Sequence, residues 1–189
     1  MTTDDTELAE LLVERKIQKV LLAYCQGVDR RDWTQVRSCY HDGASDSHGA
    51  FVGNPDELVE WLKVRHESVL SSMHLLSNIT VRRSEDGRLA RVESYCISLQ
   101  EVDTAGGDPF AGEGEGSVFT TVACRYVDTF ENVPAVGWRI LKREVAFDWM
   151  RRTDTADFVE LDPAWTLSRR DPTDALYGPW PAGQTRIEA

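Results

Sequence analysis

The chain has 189 residues, a length that suits one globular domain with an added tail. Its 41% hydrophobic and 28% charged residues are ordinary for a globular protein in water. The net charge of −11 argues against nucleic acids and anionic membrane surfaces as partners, because both attract basic patches. There is no apolar run of roughly 18 residues and no visible signal peptide, so we expect no membrane span and a cytoplasmic location.

Helices are predicted in the first third of the chain. In residues 7–28, apolar side chains recur every three or four positions, which predicts a long amphipathic helix, and a short helix follows at about 33–40. A short strand is expected near 44–52. The run Asn54-Pro55-Asp56-Glu57 is typical of a helix start, with Asn as the cap and Glu three residues later, and we expect that helix to continue to about Ser71.

Strands are predicted from there on, because the apolar period changes to two. We expect long strands at 74–83, 89–102, 118–130 and 138–149, with an acidic, glycine-rich loop at 103–116. Helices followed by an antiparallel meander predict an α+β fold in which about three helices cover one face of a curved sheet. Such a sheet forms a cone with a pocket in its mouth.

The domain prediction is a cone domain over residues 1–150 and an extended tail over 151–189. The tail has no apolar period, and its prolines and aromatic residues suggest packing on the body or on a partner subunit. The four cysteines form no Cys-x-x-Cys pair and three of them lie in apolar segments, which favours buried, reduced thiols over a disulfide framework or a zinc site.

Asp29 and His74 are the first candidates for chemistry. Asp29 ends the first helix, where a carboxylate opposes the helix dipole, so it is either a solvated terminal residue or a group turned into the pocket. His74 opens a strand on the same predicted face as Leu76 and Asn78. A lone histidine there is more often a core residue, unless a partner is present.

Arg143 is the third candidate. Strand alternation places it in an inward row with Phe147 and Trp149. A guanidinium in such a row needs an acceptor, and pairing with Glu93 or Asp29 is as plausible as contact with a substrate.

Other kinds of site are weakly supported. A metal cluster would draw on four side chains close in sequence, but their spacing fits no metal motif: His41, Asp42, Asp46 and His48. The sequence holds no Gly-x-Ser-x-Gly elbow and no Gly-x-Gly-x-x-Gly loop.

Several motifs between residues 7 and 150 carry a family resemblance. They are Tyr24 with Val28-Asp29-Arg30-Arg31-Asp32-Trp33, His41-Asp42-Gly43-Ala44, Ser72-Met73-His74-Leu75 with Asn78, Arg125-Tyr126-Val127-Asp128-Thr129-Phe130, and Gly137-Trp138-Arg139-Ile140. With these motifs the chain resembles the SnoaL-like branch of the nuclear transport factor two-like superfamily, which includes scytalone dehydratase, hexachlorocyclohexane dehydrochlorinase and bile acid dehydratase. The resemblance implies a cone of curved sheet with three helices, as derived above.

The resemblance also implies a chemistry. Enzymes of this branch use an Asp–His pair without metal or organic cofactor, and Asp29 and His74 match its positions. Tyr24 and Arg143 match further site residues. The implied function is a dehydratase-type lyase or an isomerase that removes a proton from a hydrophobic, cyclic small molecule. Thr120 or Thr121 stands where scytalone dehydratase has a further histidine, which argues against a scytalone-like substrate.

The remaining expectations concern contacts and partners. We expect Asn78, Trp149, Phe147 and Tyr95 to contact the substrate, and the protein to be a homodimer or homotrimer. The alternatives are a non-catalytic small-molecule-binding or dimerisation module, and a small accessory subunit of a ring-hydroxylating oxygenase.

Overall fold

The computed structural model describes residues 3–112 and 114–180, in which helices precede most of a six-stranded sheet. The helices are α1 (Thr3–Arg30), α2 (Trp33–Ser38) and α3 (Pro55–Arg65). The strands are β1 (Tyr40–Ser47), β2 (Val52–Gly53), β3 (Val69–Arg83), β4 (Leu89–Asp103), β5 (Ser117–Val133) and β6 (Gly137–Asp154). The predicted α+β fold is confirmed.

The strands form one curved, unclosed sheet in the order β2-β1-β6-β5-β4-β3. The pairings are antiparallel except that of β1 with β6, which is parallel. The sheet is therefore mixed, whereas a wholly antiparallel sheet was predicted. Since β1 and β3 lie toward opposite ends of the strand order, residues on their inner faces approach the same space from different sides.

Helix α1 covers the inner face of the sheet with its apolar stripe. Ile17, Leu21, Tyr24 and Val28 are all at least 98% buried, at the spacing of three or four residues that the sequence showed. They belong to one core cluster with buried residues of β4 and β5. This packing brings the C-terminal end of α1, and so Asp29, to the inner face of the sheet.

Helix α3 is shorter than predicted. The capping box at Asn54 is present, and the side chain of Glu57 accepts a hydrogen bond from the backbone N–H of Asn54. The helix ends at Arg65 instead of near Ser71. Val69 pairs with Val102 at the start of the β3–β4 ladder and is fully buried. This long-range pairing outweighs the local helical pattern of residues 66–71.

Bulges in β3 and β6 change which residues face inward. The β3–β4 register shifts between Ser77 and Thr80, where Asn78 has a φ of 47°, a conformation that asparagine tolerates. Beyond it Ile79 and Val81 pack on the core, and Asn78 is exposed. The prediction that Asn78 shares the inward face of His74 is therefore wrong.

Two bulges in β6 likewise change which of its residues face inward. Register shifts after Ile140 and after Phe147 interrupt the alternation. Trp149 consequently pairs with Ala123 on the outer face, while Arg143 and Phe147 pair with the inward Asp128 and Cys124. The single inward row predicted for β6 is thus wrong for Trp149.

The tail runs over the body as far as it is described. Arg170 donates to the carbonyl groups of Val28, Asp29 and Val69 at 3.1, 3.0 and 2.6 Å. Residues 181–189, which complete the predicted tail, lie outside the described residues. All four cysteines are free and buried, as predicted. None of the helices in the described ranges has the length and apolar character needed to cross a bilayer.

Candidate active site

Asp29 and His74 form a hydrogen-bonded pair. The Nδ1 atom of His74 lies 2.7 Å from Oδ1 of Asp29, and the His74 backbone amide donates to Oδ2 at 2.9 Å. Ser72 also donates to Oδ1, at 2.7 Å. With Asp29 ionised, Nδ1 of His74 carries the proton and Nε2 is left as the acceptor. Asp29 is therefore not the solvated helix end that the sequence left open.

The pairing changes the proton affinity of both groups. Burial by itself raises the pKa of Asp29, but the hydrogen bond and charge of His74 outweigh burial and lower that pKa below 3.8. Burial likewise lowers the pKa of His74, but the bond to Asp29 outweighs it and raises that pKa above 6.5. The pair therefore favours the ionised carboxylate and stabilises an imidazolium at His74.

His74 lines a cavity between the helices and the inner face of the sheet. The lining is half polar and half apolar, from Tyr24, Val28, His48, Leu62, Arg65, His66, His74, Ser98, Gln100, Phe110, Val122, Cys124 and Tyr126. The volume of the cavity is about 40 Å³. This space is smaller than a single ring needs, since a cavity of about 150 Å³ holds one benzene molecule. A cyclic ligand therefore requires side chains at the mouth, such as Phe110, to move.

Tyr24 reaches this cavity and Arg143 does not. Tyr24 lines the wall and is 99% buried, and burial raises its pKa, so its hydroxyl stays protonated at neutral pH. Arg143 is fully buried and makes a two-point ion pair with Asp128 at 2.8 and 2.7 Å. Its guanidinium also stacks between the rings of Tyr24 and Tyr126, at 4.3 and 4.1 Å. Arg143 thus has an internal partner, though neither of the two that the sequence suggested.

The four residues expected to contact the substrate lie apart from the cavity wall. Asn78 is exposed at its bulge, and Tyr95 and Trp149 are 44% and 53% exposed on the outer face of the sheet. Phe147 comes nearest, because its ring stacks at 6.2 Å on Phe110 at the cavity mouth.

Arg65 is a lining residue that the sequence did not single out. Its guanidinium lies 2.9 Å from Asp108 of the glycine-rich loop and donates to Gln100 at 2.6 Å. Phe110 of the same loop lies against it at 4.8 Å. Arg65 therefore presents the positive charge to this cavity that we expected from Arg143. The sequence offered no reason to single out Arg65, because an arginine in the last turn of a helix is typical of solvated helix ends.

The possible metal cluster of β1 does not assemble. Asp42 is exposed and pairs with Arg37, and His41 lies on the outer side near Glu131. Asp46 and His48 lie on the inner side, whereas Asp42 is exposed because the β1–β6 register shifts between Tyr40 and Ser45. Within the described ranges, no group of three or more potential metal-binding side chains is present.

The profile of the SnoaL-like domain matches residues 9–144, which contain both members of the Asp–His pair. The chain belongs to the SnoaL-like domain family. A search of curated proteins found no match.

Solved structures share the fold of this SnoaL-like domain. One is a provisionally named scytalone dehydratase from Novosphingobium aromaticivorans, with 17% identity, a TM-score of 0.62, and coverage of 79% of this chain and 91% of that one. Another is the hexachlorocyclohexane dehydrochlorinase LinA-type3 from Novosphingobium barchaimii, with 16% identity, a TM-score of 0.64, and coverage of 84% and 100%. A provisionally named aromatic ring hydroxylase from N. aromaticivorans has 19% identity, a TM-score of 0.64, and coverage of 76% and 94%. At these identities the likeness concerns the fold.

Proposed function

We propose that this protein is a lyase of the dehydratase type, or an isomerase, that removes a proton from a hydrophobic, cyclic small molecule. The observation that carries the proposal is the 2.7 Å contact between Asp29 and His74 on the wall of a cavity inside the cone. Neutral His74 accepts the proton at Nε2. Asp29 orients the ring through Nδ1 and stabilises the imidazolium that forms.

The other cavity groups supply the remaining needs of such a reaction. Removing a proton beside a carbonyl group leaves negative charge on the carbonyl oxygen, which donors in a water-poor site stabilise strongly. Arg65 and the hydroxyl of Tyr24 are the donors on the wall that suit this oxygen. Leu62, Val122 and Phe110 provide apolar surface for a ring. These steps use only side chains of this chain.

The test follows proton abstraction directly. The purified protein is incubated in D₂O with cyclohexanone and 3-hydroxycyclohexanone, and deuterium entering the carbon beside the carbonyl group is followed by NMR. We expect His74→Ala and Asp29→Asn to lower the enzymatic rate by roughly 10²–10⁴-fold. His41→Ala, which removes a histidine outside the cavity, is the matched control and should leave the rate unchanged.

A non-catalytic binding module is the second candidate, and the small cavity favours it. In that case wild-type protein exchanges no protons of either ketone, and both variants bind cyclohexanone as the wild type does. Loss of stability in the two variants, with no effect on exchange, would likewise assign the pair a structural role.

We also propose that copies of this chain associate through the outer face of the sheet. Leu75, Ile97, Ala123 and Trp149 are neighbours in one row across four strands, and their three large side chains are 36–53% exposed. Exposed Met73 and Tyr95 extend the row. Contiguous apolar patches on a soluble domain favour protein contacts. A second copy is the occupant proposed because a two-fold interface brings the same apolar row of both copies together.

A further inference from the structure

His66 lies between two arginine side chains at the wall of the cavity. It follows the last residue of α3, is 99% buried and lines the cavity together with Arg65. Nδ1 of His66 lies 2.6 Å from Nη2 of Arg170, which comes from the tail, and Nε2 lies 3.2 Å from Nη1 of Arg65. Each ring nitrogen therefore faces a guanidinium nitrogen, although a neutral imidazole can accept at only one of its two nitrogens.

The protonation state of His66 follows from these neighbours. A guanidinium can only donate, so an imidazolium would face donors on both sides and add a third positive charge. Burial and the charges of Arg65 and Arg170 accordingly lower the pKa of His66 well below 6.5. Arg170 stays protonated at neutral pH, since burial and the charge of Arg31 lower its pKa only to about 10. The imidazole of His66 is therefore neutral and carries one proton.

The two distances show which nitrogen of His66 carries that proton. The contact with Arg170 is as short as a strong hydrogen bond, and two N–H groups would repel strongly at 2.6 Å. Nδ1 is therefore the acceptor, and Nε2 carries the proton. The longer contact of 3.2 Å then joins two donors, Nε2–H of His66 and Nη1–H of Arg65. Among the described residues, no oxygen atom accepts from either of them.

Two adjacent donors that lack an acceptor form a site for an oxygen atom. Arg65 is fixed in this place, because its Nη2 donates to Gln100 at 2.6 Å and its Nε lies 2.9 Å from Asp108. An oxygen that enters from the cavity can accept one hydrogen bond from Arg65 and one from His66, which relieves the repulsion between the two donors. A carbonyl oxygen has two lone pairs and no hydrogen of its own, so it suits such a pair.

We propose that His66 is a catalytic residue of this site, and that its Nε2–H donates together with Arg65 to the carbonyl oxygen of the substrate. The inference rests on the proposed function and adds His66 to the donors Arg65 and Tyr24. When His74 removes the proton from the carbon beside the carbonyl group, the electron pair of that C–H bond forms the C=C bond of an enolate. The electron pair of the C=O bond moves to the oxygen, where both donors stabilise the negative charge. His66 keeps its proton throughout.

Arg170 is a positioning residue in this arrangement. It is not part of the cavity wall, but its hydrogen bond to Nδ1 holds the tautomer of His66 in which Nε2 carries the proton. A neutral imidazole N–H can polarise a carbonyl group without giving up its proton. The tail thus contributes to the site through His66.

The first experiment determines the tautomer of His66 by ¹⁵N NMR of the imidazole rings at neutral pH, with the signals assigned through His66→Gln. We expect a protonated Nε2 and an unprotonated Nδ1 in the wild type. In Arg170→Met we expect the proton to move to Nδ1, because Nε2 can then accept from Arg65. Arg169→Ala, in the exposed neighbour, is the matched control and should keep the wild-type tautomer. An Nδ1–H tautomer or an imidazolium in the wild type would overturn the proposal.

The second experiment measures the C=O stretching frequency of bound cyclohexanone by infrared difference spectroscopy with the ¹³C-labelled ketone. Hydrogen bonds to the oxygen lower this frequency, so we expect a lower value in the wild type than in His66→Leu. His66→Gln retains an N–H group and should recover part of the shift, whereas His41→Leu is the matched control and should leave the frequency unchanged. A frequency that His66→Leu does not alter would refute the contact between His66 and the oxygen.

The third measurement is the rate of deuterium exchange into cyclohexanone. Removing one such donor lowers kcat by roughly 10²–10³-fold, and we expect this loss in His66→Leu with little change in KM. The reason is that the donor gains strength mainly when the oxygen becomes negative. An increase in KM with an unchanged kcat would reduce His66 to a binding residue and overturn its catalytic role.

The two proposals fail in different ways. If the wild type exchanges no deuterium, the proposed proton abstraction and the catalytic role of His66 both fail, whereas the C=O frequency still decides whether His66 and Arg65 bind an oxygen. Deuterium exchange that needs His74, together with an Nδ1–H tautomer of His66, would retain the proposed function and refute the donor.

Discussion

The carboxylate of Asp29 holds His74 at two points, since Oδ1 lies 2.7 Å from the imidazole Nδ1 and Oδ2 accepts from the backbone amide at 2.9 Å. The side chain and the backbone of His74 are thus fixed by one group. A ring held in this way keeps one tautomer, which leaves Nε2 as the atom that can accept a proton. The arrangement couples the end of α1 to the edge of the sheet.

The first prediction concerns the titration of His74. An NMR titration should give a His74 pKa above 6.5 in the wild type, because Asp29 outweighs the effect of burial. In Asp29→Asn we expect the pKa to fall below 6.5, since burial then dominates. The rate of catalysis by neutral His74 should rise as the pH passes through the raised pKa of the wild type. An unchanged pKa in the variant would contradict the coupling.

The same pair predicts how stability depends on pH. The His74 contribution is complete below 6.5 and is lost as pH rises through its raised pKa. The Asp29 contribution is present above 3.8 and is lost as pH falls through its lowered pKa. Urea unfolding of wild type and Asp29→Asn should therefore differ most between those limits. A difference that is constant from acid to alkaline pH would show that the pair is not linked to folding.

Arg143 is predicted to be essential for stability. Arg143→Met leaves Asp128 buried without its partner, which should lower the free energy of unfolding by about 3–5 kcal/mol. The double variant Asp128→Leu/Arg143→Met removes both charges and should regain most of that loss. Urea unfolding measures both. A single variant as stable as the wild type would mean that the ion pair contributes little.

Arg170 is predicted to fasten the tail to the site. Its guanidinium donates to two carbonyl groups at the end of α1 and to one at the start of β3. Arg170→Ala should lower the free energy of unfolding by about 1.5–3 kcal/mol, because hydrogen bonds from a charged group are lost. Arg170→Lys should recover only part of it, since one ammonium cannot replace the three contacts. The exposed neighbour Arg169→Ala is the control and should have no effect.

The outer face is predicted to hold copies of the chain together. Trp149→Asp or Leu75→Asp places a charge in the apolar row and should lower the mass measured by sedimentation equilibrium to that of a monomer. Val64→Asp, on the exposed side of α3, is the matched control and should leave the mass unchanged. A wild-type protein that is monomeric at all concentrations would contradict the association.

Local patterns in the sequence determined the elements of this protein and the central pair of its site. The stripe of α1, the cap at Asn54 and the period-two segments depend on neighbours along the chain, so they can be read without tertiary contacts. Asp29 and His74 were found because a carboxylate at a helix end and a histidine at a strand start are unusual placements, and because both match a family pattern. Their hydrogen bond needed the fold.

Only the tertiary structure decided which side chains face the cavity. Each bulge shifts strand alternation by one residue, so Asn78 and Trp149 turned outward although the sequence pattern placed them inside. The Arg143–Asp128 pair depends on the register of β5 with β6, and the placement of His48 and His74 on the wall of one cavity depends on the order of the strands. Such contacts join residues far apart in the chain, and the local pattern of apolar and polar residues carries no record of them.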